Sequence, residues 1–265
     1  MDLSVFYTEL DRLYGEQGSD LAGFLREALR RARLAGDGRG VAAAANELES
    51  VLRLRGELDE AEVLCEEVLR VLGREGAGDD ERARALINLG DVYVAQGRYA
   101  TAVDAFDRAE ALLGNGDAHP YEVSAICNNR SSAYRGLGRF ADARSDLRRA
   151  GRLLERVPGS EGRRATNAIN LAQVLLDEGR VEEAAEAIGP ALEAFRTLGG
   201  GRDVHRPHAL ATAAQIAYLR GDYAEAARLY REAAGVMRDK LGDAPNVGAL
   251  EASAARMEGL AAAGA

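Results

Sequence analysis

The sequence is poor in the residues that build β-structure. It has no tryptophan, and only 5% of its residues are aromatic. Strands favour aromatic and β-branched side chains, whereas the alanine, leucine, glutamate and arginine that dominate here favour helices. The two cysteines, Cys65 and Cys127, are too few for a disulfide framework. The composition therefore predicts an all-α protein.

The chain also lacks long hydrophobic runs and any excess of basic residues. It contains no apolar run of about 18 residues, so no membrane-spanning helix is expected. Its beginning, MDLSVFYTELD, has neither the basic region nor the apolar core of a signal peptide. The formal net charge of −9 opposes nucleic-acid binding, because neutralising phosphates needs a basic face. We therefore expect a soluble, cytoplasmic protein with no membrane or nucleic-acid partner.

A short turn motif recurs at a nearly constant interval. Its glycines, called the turn glycines below, are 41, 41, 41 and 42 residues apart, and an alanine follows each after five residues. The turn glycines are Gly56, Gly97, Gly138, Gly179 and Gly221, and the alanines are Ala61, Ala102, Ala143, Ala184 and Ala226. A left-handed glycine ends a helix at little cost, and a small alanine lets antiparallel helices approach closely. Each unit is therefore predicted to be a helix pair, and stacked pairs bury their apolar faces.

The unit around Gly97 carries the most specific motif. Residues 86–113 read LINLGDVYVAQGRYATAVDAFDRAEALL. The residues that carry the pattern are Leu89, Gly90, Tyr93, Gly97, Tyr99, Ala102, Phe106 and Ala109. In this order they resemble the tetratricopeptide repeat (TPR), and a period above the usual length of about 34 is similar to the kinesin light chain type, here in a bacterial form. The resemblance implies an all-α, right-handed superhelical solenoid of antiparallel helix pairs, with about 13 helices.

The repeats predict a single TPR domain over residues 1–265. Five repeats are expected at 39–74, 80–114, 119–155, 161–198 and 206–241. A degenerate helix pair is expected at 2–38 and a capping helix at 246–263. The glycine-rich loop 199–207 is expected to be a flexible joint. For the last helix the alternative is self-assembly, through the apolar stripe of Leu250, Ala254 and Met257.

The resemblance implies that the first helix of each repeat lines a concave groove. Asn88, Asn129 and Asn170 each lie nine residues before a turn glycine. A carboxamide offers a donor and an acceptor, so this column predicts recognition of an extended peptide backbone. The alternative is that these asparagines bond to the neighbouring helix and stabilise stacking. The predicted groove set is Asn46, Glu47, Arg84, Asn88, Asp91, Asn128, Asn129, Arg130, Arg135, Asn170, Gln173, His208 and Gln215.

Arg130 interrupts the repeat pattern. The equivalent positions in three other units hold leucine, namely Leu48, Leu89 and Leu171. The structural interpretation, which we favour, is that its guanidinium reaches the groove wall and pairs with an acid such as Asp91. The functional interpretation is that Arg130, with Arg84 and Arg135, receives a carboxylate or phosphate of a ligand.

The leading functional hypothesis is a non-catalytic scaffold or adaptor that holds an extended or helical partner segment in the groove. The partner would be a protein or peptide, with an acidic group as a candidate anchor, and the chain would be a monomer or weak homodimer. Binding of a chaperone tail is not predicted, because Ala125 and Thr166 stand where the carboxylate clamp of chaperone-binding TPR domains needs basic residues.

No catalytic, cofactor or metal motif supports an enzyme. His205 and His208 are close in sequence but have no third ligand nearby, so we predict neither a metal nor a cofactor. The alternative hypothesis is a small-molecule-binding or catalytic site in the same polar groove. Glu47 would then be a general base and Arg130 an anion holder, for example in a bacterial biosynthetic or regulatory pathway.

Overall fold

The computed structural model describes residues 1–16, 19–197, 205–241 and 245–264. These residues form thirteen α-helices and no strand. The helices are α1 (Leu3–Gly15), α2 (Leu21–Ala35), α3 (Gly38–Arg55), α4 (Leu58–Arg74), α5 (Asp79–Ala95), α6 (Tyr99–Leu113), α7 (Pro120–Gly136), α8 (Phe140–Leu154), α9 (Glu161–Asp177), α10 (Val181–Thr197), α11 (Arg206–Leu219), α12 (Tyr223–Leu241) and α13 (Pro245–Ala262). The predicted all-α fold of about 13 helices is confirmed. Over the described residues, no helix has the length and apolar character needed to span a membrane.

The chain divides into two compact units, Met1–Leu137 and Gly138–Ala265. Unit 1 contains α1 to α7, and unit 2 contains α8 to α13. Most of the loop predicted as a flexible joint, residues 199–204, lies outside the described residues. The assignment of the whole chain to one domain stays a prediction.

A turn glycine follows the first helix of each repeat. The five φ angles are 78°, 73°, 70°, 72° and 78° in chain order, all in the left-handed region. At Gly97 the N–H of Arg98 donates to the carbonyl of Tyr93 at 2.8 Å, and the N–H of Gly97 donates to the carbonyl of Val94 at 3.0 Å. These bonds satisfy the last carbonyls of α5 and end the helix. The predicted left-handed glycine turn is confirmed.

Small and large side chains complement each other where the two helices of a pair cross. A Cβ atom at Gly90 of α5 would lie 2.6 Å from Cε1 of the Phe106 ring on α6. Phe106 is fully buried, so its ring has no open space to enter. In unit 2 the equivalent residues, Ala172 and Ile188, belong to one buried cluster. The smaller glycine on the first helix thus occurs with the larger phenylalanine on the second, and the larger alanine occurs with the smaller isoleucine.

The first helices of successive repeats contact one another. In unit 1, α3 contacts α5 and α5 contacts α7; in unit 2, α9 contacts α11. The second helices, such as α4 and α6, pack mainly on the first helices before and after them. The first helices are therefore the closer set, and they form the inner face of each unit.

The last helix packs along α12. Ala254 and Met257 of α13 are buried, and Met257 shares a hydrophobic cluster with Leu210 and Leu229. The apolar stripe of α13 is therefore largely covered within unit 2. These contacts favour capping over self-assembly.

Candidate functional site

The inner face of unit 1 carries two asparagines that bond across successive repeats. Nδ2 of Asn88 on α5 donates to Oδ1 of Asn46 on α3 at 3.3 Å. Both side chains are partly buried. Within the described ranges of the chain, Asn46 Nδ2 and Asn88 Oδ1 form no hydrogen bond. The pair therefore keeps one donor and one acceptor at the inner face.

A second contact joins α5 to α7. Nδ2 of Asn129 donates to both carboxylate oxygens of Asp91, at 2.8 and 3.1 Å. Burial raises the pKa of Asp91 to about 7, although the nearby Arg53 lowers it. Glu49 raises this pKa further, and the hydrogen bond from Asn129 lowers it. Asp91 therefore changes its charge near neutral pH.

A buried acid lies close to this contact. Glu49 of α3 is 1% exposed, and Nε of Arg53 lies 3.0 Å from its Oε1. Burial raises the pKa of Glu49, and the Arg53 guanidinium opposes that shift. Burial also raises the pKa of the Cys65 thiol, with the charges of Glu49 and Asp91 adding to the effect. Cys65 is therefore an inert core thiol rather than a nucleophile.

Helix α1 contributes two exposed aromatic residues to the same face. Burial raises the pKa of Glu47, and the nearby Tyr14 hydroxyl lowers it. Burial raises the pKa of the Tyr7 phenol, and the nearby Glu47 carboxylate raises it further. Tyr7 is 43% exposed and Tyr14 is 55% exposed. Sequence reasoning missed both, although their spacing of seven residues places them on one face of a helix.

A cleft of about 660 Å³ opens between α1, the first turns of α3 and α5, and the loop 75–78. Its polar lining residues are Tyr7, Arg39, Asn46, Glu75, Glu81 and Arg84. Asn46 and Arg84 belong to the set predicted from the sequence. Arg39 was missed because it lies in the first turn of α3, whereas the predicted residues lie closer to the turn glycine that ends each first helix.

Arg130 points toward α6 and not toward Asp91. Its Nη1 lies 2.5 Å from Oδ1 of Asp107 and 2.7 Å from Oε2 of Glu110. The Arg130 side chain is only 8% exposed. An anionic ligand would have to displace two carboxylates to reach it. These contacts favour the structural interpretation, with Asp107 and Glu110 in place of the expected partner Asp91.

Three further predicted residues of unit 1 are Asn128, Arg84 and Arg135. Asn128 Nδ2 donates to the carbonyl of Ser124 in its own helix at 3.3 Å. Arg84 and Arg135 are exposed. The polar contacts of the inner face in unit 1 thus join α3 to α5 and α5 to α7.

Unit 2 contains the remaining four predicted residues, Asn170, Gln173, His208 and Gln215. Nε2 of Gln173 donates to Oγ1 of Thr212 at 2.8 Å, and this hydroxyl donates to the carbonyl of His208 at 2.9 Å. Burial lowers the pKa of His208, and nearby His205 lowers it further. Asn170 is partly buried, and Gln215 lines a hollow of about 250 Å³. In the portion of the chain that the structure describes, no group of three or more His, Cys, Asp or Glu side chains could hold a metal.

The sequence matches one protein family over most of its length. The family model of the MalT-like TPR region covers residues 50–260. No curated protein matches the sequence.

Solved structures share the fold at low sequence identity. BtubC (BKLC) of P. vanneervenii is 20% identical over 89% of this chain and 94% of its own, with a TM-score of 0.70. A kinesin light chain protein of Podospora anserina is 21% identical over 74% and 94%, with a TM-score of 0.61. Aspartyl phosphate phosphatase F of Bacillus subtilis is 17% identical over 88% and 58%, with a TM-score of 0.68. The predicted resemblance to TPR proteins of the kinesin light chain type is confirmed at the level of fold.

Proposed function

We propose that this chain, which belongs to the tetratricopeptide repeat family in its MalT-like form, is a non-catalytic scaffold or adaptor. In this proposal the inner face of unit 1 binds an extended partner segment. The observation that carries this proposal is the Asn46–Asn88 pair. The uncommitted Nδ2 donor of Asn46 and Oδ1 acceptor of Asn88 match the C=O and N–H of one residue of an extended chain, which point to the same side. Tyr7 and Tyr14 add exposed aromatic surface beside them, and such rings are common anchors in binding sites.

The asparagine column serves stacking as well as recognition in this proposal. Asn129 uses Nδ2 to hold Asp91 across the repeat boundary. Its Oδ1 remains as an acceptor for a partner backbone. The two alternatives raised by the sequence are therefore combined, with the amide nitrogen stabilising the stack and the oxygen facing the ligand.

The geometry gives less support to a catalytic groove. Arg130 is engaged by Asp107 and Glu110, so it is poorly placed to hold a substrate anion. Glu47 lies beside Tyr14, whose hydroxyl lowers the pKa of the carboxyl group, and this suits a positioned side chain as well as a base. The expected cytoplasmic location and the monomeric or weakly dimeric state belong to the same proposal.

The test compares variants in affinity purification from the host lysate followed by native mass spectrometry. The test variant is Asn46→Ala/Asn88→Ala, and the control is Asn115→Ala, at an exposed site in the loop after α6. Loss of two hydrogen bonds at about 1 kcal/mol each should weaken retention of a polypeptide by roughly tenfold or more. The control should retain it fully.

Two results would contradict the proposal. A polypeptide retained equally by the double variant would show that the asparagine pair does not recognise it. A small-molecule adduct in place of a polypeptide would support the catalytic or metabolite-binding alternative, with Glu47→Gln as the next variant to measure.

A further inference from the structure

Within the described part of the chain, two arginines of the 660 Å³ cleft have no ion-pair partner. Arg39 and Arg84 both line the cleft, and neither has a carboxylate within 4.0 Å among the described residues. By contrast, Arg53 on the same helix as Arg39 is paired with Glu49. Two guanidiniums that line one cavity and form no ion pair there leave their N–H donors available to a ligand.

The two acids of the cleft, Glu75 and Glu81, are stabilised by helix N-termini rather than by the two arginines. A Cβ atom at Gly38 would lie 1.7 Å from Oε1 of Glu75, so this carboxylate lies at the beginning of α3. Glu81 lies in the first turn of α5. Helix N-termini carry partial positive charge, which stabilises both carboxylates where they are. Arg39 lies in the first turn of α3, where the same field disfavours a cation, so an incoming anion would relieve an unfavourable placement.

The cleft is continuous with the asparagine pair. Asn46 lines it, and Asn46 is the residue whose Nδ2 remains available beside Asn88. The exposed ring of Tyr7 forms part of the wall. A peptide whose backbone bonds to Asn46 and Asn88 would therefore carry a neighbouring side chain or its end into the cleft.

We infer that this cleft is the subsite for a carboxylate of the bound peptide, held between Arg39 and Arg84. Guanidiniums present paired N–H donors that match the two oxygens of a carboxylate. The inference rests on the proposed function, because the peptide backbone must lie along the asparagine pair for its carboxylate to reach the arginines. In this inference the residue that acts with Arg84 in anion recognition is Arg39, and not Arg130 or Arg135 as the sequence suggested.

The test uses blocked alanine peptides and NMR titration of the labelled full-length chain. The first peptide has one central aspartate, the second has asparagine at that position, and the third is all alanine with a free C-terminal carboxylate. The readouts are the side-chain N–H signals of Arg39, Arg84, Asn46 and Asn88. The aspartate peptide should bind at least about threefold more tightly than the asparagine peptide, the preference expected of a partly exposed ion pair. Tight binding of the third peptide instead would assign the carboxylate to a chain end.

Matched variants identify the arginines responsible. Arg39→Gln and Arg84→Gln should each reduce the preference for aspartate over asparagine toward onefold. Arg55→Gln should keep it, because Arg55 is an exposed residue at the opposite end of α3.

The outcomes separate the two proposals. If the Asn46 and Asn88 signals respond but carboxylate and neutral peptides bind equally, the carboxylate subsite is refuted and backbone recognition stands. If the preference for carboxylate survives both glutamine variants, the subsite lies elsewhere and the inference is also wrong. If none of the three peptides shifts Asn46 or Asn88, backbone recognition fails and the subsite fails with it.

Discussion

In both units the same two repeat positions form a hydrogen bond between successive first helices, but the side chains at these positions differ in chemistry. In unit 1, Asn129 donates to Asp91; in unit 2, Gln173 donates to Thr212. Both contacts join the residue six places before a turn glycine to the residue nine places before the next one. The contact in unit 1 contains an ionisable group near the buried Glu49, whereas the contact in unit 2 is neutral. Repeat geometry thus determines which positions meet, and the sequence at those positions determines whether the contact responds to pH.

The largest expected effect on unfolding free energy concerns the packing of the two helices of a pair, where unit 1 has Gly90 and unit 2 has the larger Ala172. Gly90→Ala would press a methyl group into the buried Phe106 ring, and we expect a loss of roughly 2 kcal/mol in unfolding free energy despite the better helix propensity of alanine. The opposite change in unit 2, Ala172→Gly, should cost about 1 kcal/mol through propensity and lost contact. Urea denaturation of both variants measures the difference.

A second variant separates the clash from other causes. Phe106→Leu in the Gly90→Ala background should recover part of the stability, because the smaller side chain leaves room for the methyl group. A Gly90→Ala protein as stable as the parent would show that α5 and α6 have room to move apart.

The next effect concerns the ionisable contact of unit 1. The folded-state pKa of Asp91 is about 7, above its ordinary value of 3.8, so the folded chain holds this proton more tightly than the unfolded chain does. Its contribution to stability therefore decreases as the pH rises from about 4 through 7. Asp91→Asn keeps an acceptor for Asn129, and we expect it to gain roughly 1–2 kcal/mol over the parent at pH 8 and less than half of that at pH 5.

Urea unfolding at pH 5, 7 and 8 checks this prediction. Glu49 also has a raised pKa, so a weaker slope of the same sign should remain in the variant. Asp104→Asn, at an exposed position of α6, is the control and should keep the parent profile. A parent protein that becomes more stable between pH 5 and 8 would contradict the assignment.

The same chemistry can be transferred to unit 2. Gln173→Glu places a carboxylate opposite Thr212, whose hydroxyl already donates to the carbonyl of His208. The new carboxylate is poorly compensated, so stability should fall by about 0.5–1 kcal/mol between pH 5 and 8 relative to the parent. Gln173→Ala, which loses the hydrogen bond without adding charge, should show no added pH dependence. Equal pH profiles for the two variants would mean that water solvates this position freely.

The smallest effect is expected at Arg130. Arg130→Leu restores the leucine of the other repeats and removes a partly buried ion network, so unfolding free energy should change by less than about 1 kcal/mol. Affinity for the blocked aspartate peptide should be unchanged, as measured by the same NMR titration. A collapse of affinity at constant melting temperature would instead make Arg130 part of the binding site.

The fold was predictable because its signals are local. The turn glycines adopt the left-handed φ that their spacing predicted, and the apolar periodicity defines the helices between them. The sequence also placed Asn88, Asp91 and Asn129 on one face, since positions that repeat every 41 or 42 residues occupy equivalent places.

Partners and charge states were less predictable. Arg130 has a long side chain that can reach either the groove or the adjacent helix, and only the structure shows that Asp107 and Glu110 hold it. The raised pKa of Asp91 depends on its burial and on Arg53, Glu49 and Asn129, which are distant from it in sequence. Arg39 and Tyr7 fall outside the repeated positions, so periodicity gave no reason to join them with Arg84.

The contact between successive repeats also bears on how such a chain can lengthen. A second copy of the repeat that contains Gly97 would place Asp91 opposite a duplicate of Asn88, which offers the same amide donor as Asn129. A second copy of the repeat that contains Gly221 would place Gln215 opposite a duplicate of Thr212, as Gln173 is placed now. Each of these repeats carries both halves of the bond, so a tandem gene duplication inherits a working junction without any further mutation.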